Sequence, residues 1–275
     1  MTATIATSPD RAAESLLAFW AEAGVDAMLL DEPVDRIAAG RIVPPRPPER
    51  KIAAAPVRTP AASAAPDIAS AVAEARRLAE AAPDLEALAA AIAGFEGCPL
   101  RFEGAARQSV FSRGRPDAPL IIIGEGPGAD EDAQGAPFVG RAGKLLDRML
   151  AAAGLTDRVF ITNTVFWRPP GNRTPTPSEQ MICAPFVERA IQLVAPRMLL
   201  LLGAASAKSM LKREEGILSL RGRWFEWRSA DERLELPAMP TLHPAFLLRQ
   251  PAAKKKAWSD LLTLIERLDR PERPA

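Results

Sequence analysis

The run RMLLLLG (197–203) constrains the fold more than any other stretch of the chain. It is too short for a buried helix and offers no polar face to water. It reads as a strand covered on both sides, as in a parallel sheet between helices. PLIII (119–123), RVFITNT (158–164) and PAMPTLHP (237–244) read as further strands. Helical patterns separate or follow them: GRAGKLLDRMLAAAG (140–154) with Gly154 as a stop, SEQMICAPFVERAIQLVA (178–195) with Ser178 as a cap, AASAKSMLK from 204, and KKKAWSDLLTLIERL (254–268). This alternation predicts an α/β fold, a three-layer α/β/α domain with a mostly parallel central sheet.

The first third reads differently. Residues 1–31 read as an N-terminal helical segment, in which Ser8 could cap a helix over 9–24 with Leu16, Leu17, Phe19 and Trp20 as its apolar stripe. Residues 32–66 are an Ala/Pro-rich linker, expected to be disordered. Residues 67–94 are a helical lead-in, and residues 95–275 the main domain.

Composition narrows the setting. No apolar run reaches the roughly 18 residues of a membrane span. The N-terminus, MTATIATSPDRAAE, has no basic segment followed by an apolar core, so a cytoplasmic protein is expected. Cys98 and Cys183 are too few for a disulfide framework or a four-thiolate site, and His243 is the single histidine. The net charge of +1 is divided unevenly. Residues 1–99 carry 9 Lys+Arg against 14 Asp+Glu, and residues 100–275 carry 26 against 20. The second part is the better partner for a polyanion, although a surplus of six cations is a weak signal.

Three stretches follow predicted strands, where open α/β sheets carry their sites: GEGPGADEDAQGAPF (124–138), TNTVFWRPPGNRTPTP (162–177) and TLHPAFLLRQP (241–251). A glycine-rich turn after a strand usually cradles phosphate, yet Asp130, Glu131 and Asp132 would repel one, and the P-loop lysine is missing. Asn163 carries one acceptor and two donors on its side-chain amide. It would equally serve as an Asx turn closing a strand.

Together the three motifs resemble the uracil-DNA glycosylase superfamily, and most closely its family 4, over about residues 95–268. The resemblance implies an enzyme of base excision repair. It would flip deoxyuridine out of DNA and hydrolyse the N-glycosidic bond, leaving an abasic site. It implies that Gly124, Gly126 and Gly128 let the backbone approach the base and that Phe138 stacks on it. Asn163 would read its edge, and His243 would stabilise charge developing on its O2. Glu125 and Glu131 are the implied carboxylates for the attacking water, with Glu125 also crowding a 5-methyl group and so excluding thymine. Asp130 and Asp132 are read as solvated turn residues. Arg168, Arg173 and Arg249 are candidates for phosphate contact, and Leu247 or Leu248 for a wedge in the gap left by the flipped base. For Leu247 and Leu248 an ordinary helix core is the alternative, and for the lysines at 254–256 a solvated helix face.

Family 4 proteins carry four cysteines that hold an iron–sulfur cluster. Here Phe95 and Trp167 stand at two of those positions, leaving Cys98 and Cys183, so no cluster and no other cofactor is predicted. The expected partner is uracil-containing DNA, with no membrane and a monomeric state. The N-terminal helix is a candidate for docking on a repair or replication protein. The same motifs would suit a protein that binds uracil-containing or damaged DNA with little or no turnover.

Overall fold

The computed structural model describes residues 68–103 and 105–270; the N-terminal helical segment and the linker lie outside them. Among the described residues, helix α1 (Ile68–Ala81) turns Ala71, Ala75 and Ala79 inward, and α2 (Leu85–Gly94) follows after Pro83. Asp84 caps α2 by accepting the Ala87 N–H at 2.8 Å. Proline cannot continue a helix, so the predicted single lead-in is two helices.

The sheet has strands β1 (Ser112–Gly114), β2 (Leu120–Gly124), β3 (Val159–Asn163), β4 (Met198–Leu202), β5 (Phe225–Arg228) and β6 (Glu235–Thr241). Their spatial order is β1-β3-β2-β4-β6-β5. The four central strands are parallel, and the edge strands β1 and β5 run antiparallel. The remaining helices are α3 (Ala129–Gln134), α4 (Arg141–Ala152), α5 (Pro177–Val194), α6 (Gly203–Leu211), α7 (Ile217–Leu220), α8 (Pro244–Arg249) and α9 (Lys254–Leu268).

Every residue of β2, β3 and β4 is buried, as continuous apolar runs require. Side-chain alternation sends Ile121, Ile123, Leu199 and Leu201 to one face, under α1, α2 and α5. Leu120, Ile122, Leu200 and Leu202 go to the other, under α4 and α9. The three-layer expectation is met. Strands β1 and β5 were not anticipated: SRG lacks an apolar pattern and FEWR alternates over only four residues, and both are held by pairing with β3 and β6.

The cap of α5 is Thr176 rather than Ser178. The Thr176 hydroxyl accepts the Glu179 N–H at 3.2 Å, and the Glu179 carboxylate accepts the Thr176 N–H at 2.7 Å. Pro177 then occupies the first helical position, where its missing N–H costs nothing. No helix among the described residues is long and apolar enough to cross a membrane.

After β2 the chain moves to β3 on one side and then to β4 on the other. The crevice beyond the carboxyl ends of β2 and β4 is therefore the switch point at which such sheets bind ligands.

Candidate active site

A cleft of about 540 Å3 opens beside that switch point, walled by residues at the carboxyl ends of β2, β3 and β6. Gly124 ends β2 directly opposite Asn163, which ends β3. A Cβ on Gly124 would stand 2.4 Å from Asn163 Oδ1 and 2.5 Å from Phe138 Cζ, so only glycine fits between them. Thr164 ties the two strand ends together. Its N–H donates to Gly124 O at 3.0 Å, and its hydroxyl donates to Glu125 O at 2.6 Å. Neither Thr164 nor its tie was visible in the motif.

Asn163 is 1% exposed, and its Oδ1 has no hydrogen-bond partner. Leaving a buried acceptor unmade costs about 1–3 kcal/mol. The adjacent turn brings Gly126, Gly128 and Glu125 to the cleft wall.

Phe138 has φ 56°, a left-handed conformation that bulky residues rarely adopt. Three neighbours hold it there. Glu131 Oε1 accepts the N–H groups of Val139 and Gly140 at 3.0 and 2.9 Å, and its Oε2 accepts the Gly128 N–H at 3.1 Å. Arg113 donates to Pro137 O and Phe138 O at 2.8 and 3.3 Å and is braced by Asp147 at 2.6 Å. Gly143 lets Phe138 O come close, since a Cβ there would lie 1.6 Å from that oxygen. Arg113, on unanticipated β1, carried no sequence signal; its role emerges only from pairing.

The acid-rich turn is thus the first turn of α3. Glu131 spends both oxygens on backbone N–H groups, which makes it a brace for the Phe138 loop, and it also lines the cleft. Asp132, expected in solvent, is 1% exposed, and its Oδ1 accepts the Arg107 N–H at 2.7 Å. Asp130 is exposed as expected. Replacing Glu131 with alanine is expected to cost about 2–3 kcal/mol in urea unfolding, because up to three backbone donors lose their acceptor. Glu131→Gln should lose less.

His243 sits at the end of β6 as the N-cap of α8, its ring 5.6 Å from that of Phe138 and tilted 35°. Burial first, and then the neighbouring Arg249 cation, hold its pKa down from 6.5 to about 4. The imidazole is therefore neutral at pH 7. Its Nδ1 accepts the Ala245 N–H at 3.2 Å, which leaves the proton on Nε2. The unfolded chain binds this proton below 6.5 and the folded chain only below about 4, so stability is full above 6.5 and falls on acidification between them. Urea unfolding at pH 5 should show a loss of up to about 2 kcal/mol relative to pH 7, absent in His243→Asn.

The family model of the Uracil DNA glycosylase superfamily matches residues 111–262, which include the whole cleft. The chain belongs to the uracil-DNA glycosylase superfamily. It is 38% identical over 183 residues to the type-4 uracil-DNA glycosylase of Pyrobaculum aerophilum, covering 65% of this chain and 91% of that one. It is 38% identical over 154 residues to the type-4 enzyme of Thermotoga maritima, covering 55% and 77%. It is 37% identical over 171 residues to that of Sulfurisphaera tokodaii, covering 60% and 77%.

In this uracil-DNA glycosylase fold the candidate DNA-facing residues separate. Arg249 is exposed on the cleft wall. Arg168 donates to Asn172 Oδ1 at 2.7 Å and forms no ion pair among the described residues. Arg173 is engaged internally, with Glu179 at 2.6 and 2.9 Å and Glu103 at 3.2 Å. Leu247 is fully buried with Leu145, Leu242 and Ala257, so the wedge reading gives way to helix core for this residue. Leu248 is half-buried against the same cluster.

Phe95, Cys98, Trp167 and Cys183, the positions matched to the family 4 cysteines, share one buried core with α5. Cys98 and Cys183 are fully buried, their sulfurs 4.0 Å apart. Phe95 and Trp167 are 2% exposed, with ring centroids 6.4 Å apart. Phe186 packs edge-on to Phe95 at 5.2 Å. A cluster needs four ligands, and these residues supply two thiols beside packed rings; they do not fit it. No group of three or more His, Cys, Asp or Glu among the described residues is placed to hold a metal ion.

Proposed function

We propose that this chain is a monofunctional uracil-DNA glycosylase of the type-4 kind that acts in base excision repair without an iron–sulfur cluster. The observation that carries the reading is the orphaned, buried Asn163 Oδ1, which with the Phe138 ring closes on Gly124. A flipped uracil would give that acceptor its N3–H, while the amide nitrogen donates to O4. The Phe138 ring would lie along the base.

Hydrolysis breaks the C1′–N1 bond, adds hydroxide to C1′ and sends the bonding pair to uracil, where charge gathers on O2. Neutral His243 can donate Nε2–H to that oxygen, a contact that strengthens as the bond breaks. Glu125 lines the cleft with no side-chain partner among the described residues. It orients the water and offsets the positive charge on the sugar. The leaving uracil anion takes up the remaining proton from water. Arg249 and Arg168 meet phosphates. The test is strand breakage by alkali after incubation with an oligonucleotide carrying one deoxyuridine. Breakage in the wild type that is lost in Asn163→Ala supports the reading, and none in the wild type removes it.

The Phe95, Trp167 and Phe186 rings take the place of a cluster in tying the segment before β1 to α5. Protein purified anaerobically should contain far less than one cluster's iron and acid-labile sulfide per chain. A stoichiometric four-iron content would overturn this part.

A further inference from the structure

We propose that the groove between α4, α8 and α9 is a second DNA site, which takes an unpaired nucleobase of the strand that carries the uracil. The proposal rests on the reading of the chain as a DNA-acting protein. The groove encloses about 340 Å3, and its wall is apolar: Leu145 and Met149 of α4, Leu247 of α8, and Trp258 of α9. Trp258 is 38% exposed, although a large aromatic normally hides more of itself when nothing covers it.

Cations frame this apolar slot. Lys254 and Lys255 line its edge, and Lys144 and Arg148 stand exposed beside the lining residues of α4. None of the four has an ion-pair partner among the described residues, whereas ten other arginines of the domain are paired with carboxylates. Lys254 and Lys255 also open α9, where the helix macrodipole disfavours cations. An external polyanion would partner all four.

Helix α8 borders both the groove and the cleft. Helix α8 turns His243, Phe246 and Arg249 to the cleft and Leu247 to the groove. A strand leaving the cleft past Arg249 would reach Lys254 and Lys255 next. An aromatic face flanked by lysines is the arrangement that holds single-stranded nucleic acid by stacking and backbone charge. An acidic peptide would satisfy the lysines, but would have no reason to run on into the cleft.

The probe is a thymidine homopolymer without uracil, longer than the roughly 4–16 nucleotides that one such site spans. Its binding is followed by fluorescence anisotropy across a salt series. Trp258→Ala should weaken binding roughly 5- to 150-fold, and Trp258→Phe should retain most of it. Lys254→Ala and Lys255→Ala should each flatten the slope of log affinity against log salt by about 0.7. Uracil release from a trinucleotide, too short to reach the groove, should stay at the wild-type rate in all four variants. This also reports that they are folded. Homopolymer affinity unchanged in Trp258→Ala overturns the proposal, as does an equal loss on a fully paired duplex. Trp258-dependent binding without uracil release would keep the groove and remove the glycosylase reading instead.

Discussion

Replacing His243 with alanine is expected to lower the single-turnover rate of uracil release about 100- to 1000-fold, the usual effect of removing one donor aimed at developing charge. Binding of uracil-containing DNA should change far less, because the donor acts mainly when O2 becomes an anion. The depressed pKa, about 4, adds a second signature. Between pH 5 and 8 the imidazole stays neutral, so the wild-type rate should show no titration near 6.5, the ordinary histidine value. A rate that fell tenfold per pH unit on either side of 6.5 would mean that a different group, or a charged His243, carries the step. His243→Gln restores a donor on a longer arm and should recover part of the loss; full activity in His243→Ala would remove the histidine from the mechanism.

Asn163→Ala should cut kcat/KM on uracil by about 100-fold or more, because hydrogen bonds made only to the correct base disappear together. It should also erase discrimination. The wild-type amide presents an acceptor to N3–H and a donor to O4, and cytosine reverses both groups. With alanine the cleft has no polar edge to mismatch, so the residual rates on uracil and cytosine should converge. The fold itself should tolerate the change, since Asn163 Oδ1 has no partner to abandon. Removal of an unsatisfied buried acceptor should even raise the unfolding midpoint slightly. A variant that loses stability and activity in parallel would show instead that Asn163 is an Asx-type support for the end of β3.

The contrast between Glu125 and Glu131 shows how much of the cleft could be read from residue types. Both carboxylates stand in the same glycine-rich turn, six residues apart, and each was a candidate to hold water. Glu131 lies one turn into α3, where backbone N–H groups from Gly128, Val139 and Gly140 converge on it. Glu125 precedes that helix and finds no such donors. Which backbone groups converge depends on how residues 137–140 fold back, and that depends on Arg113 from an edge strand with no pattern of its own. Arg173 and Leu247 follow the same logic. Arg173 is tied up by Glu179, and Leu247 is drawn inward by Leu145, Leu242 and Ala257, partners that only the turn of a helix or the packing of helices brings close.

The buried runs free of polar breaks, LIII and MLLLL above all, dictated a parallel sheet between two helical layers, because a strand with no polar face must be covered on both sides. The order of motifs then placed GEGPG, TNT and TLH at strand ends, and with them the glycine floor, Asn163 and His243. Local patterning carries that information, since it needs only side-chain period and turn chemistry. The left-handed Phe138, the neutral tautomer of His243, the orphaned Asn163 oxygen and the division of labour between the carboxylates arise from contacts across β1, β2, β3 and α8. No local rule encodes them, because each is set by the electrostatics and sterics of groups that only folding brings within a few ångströms of one another.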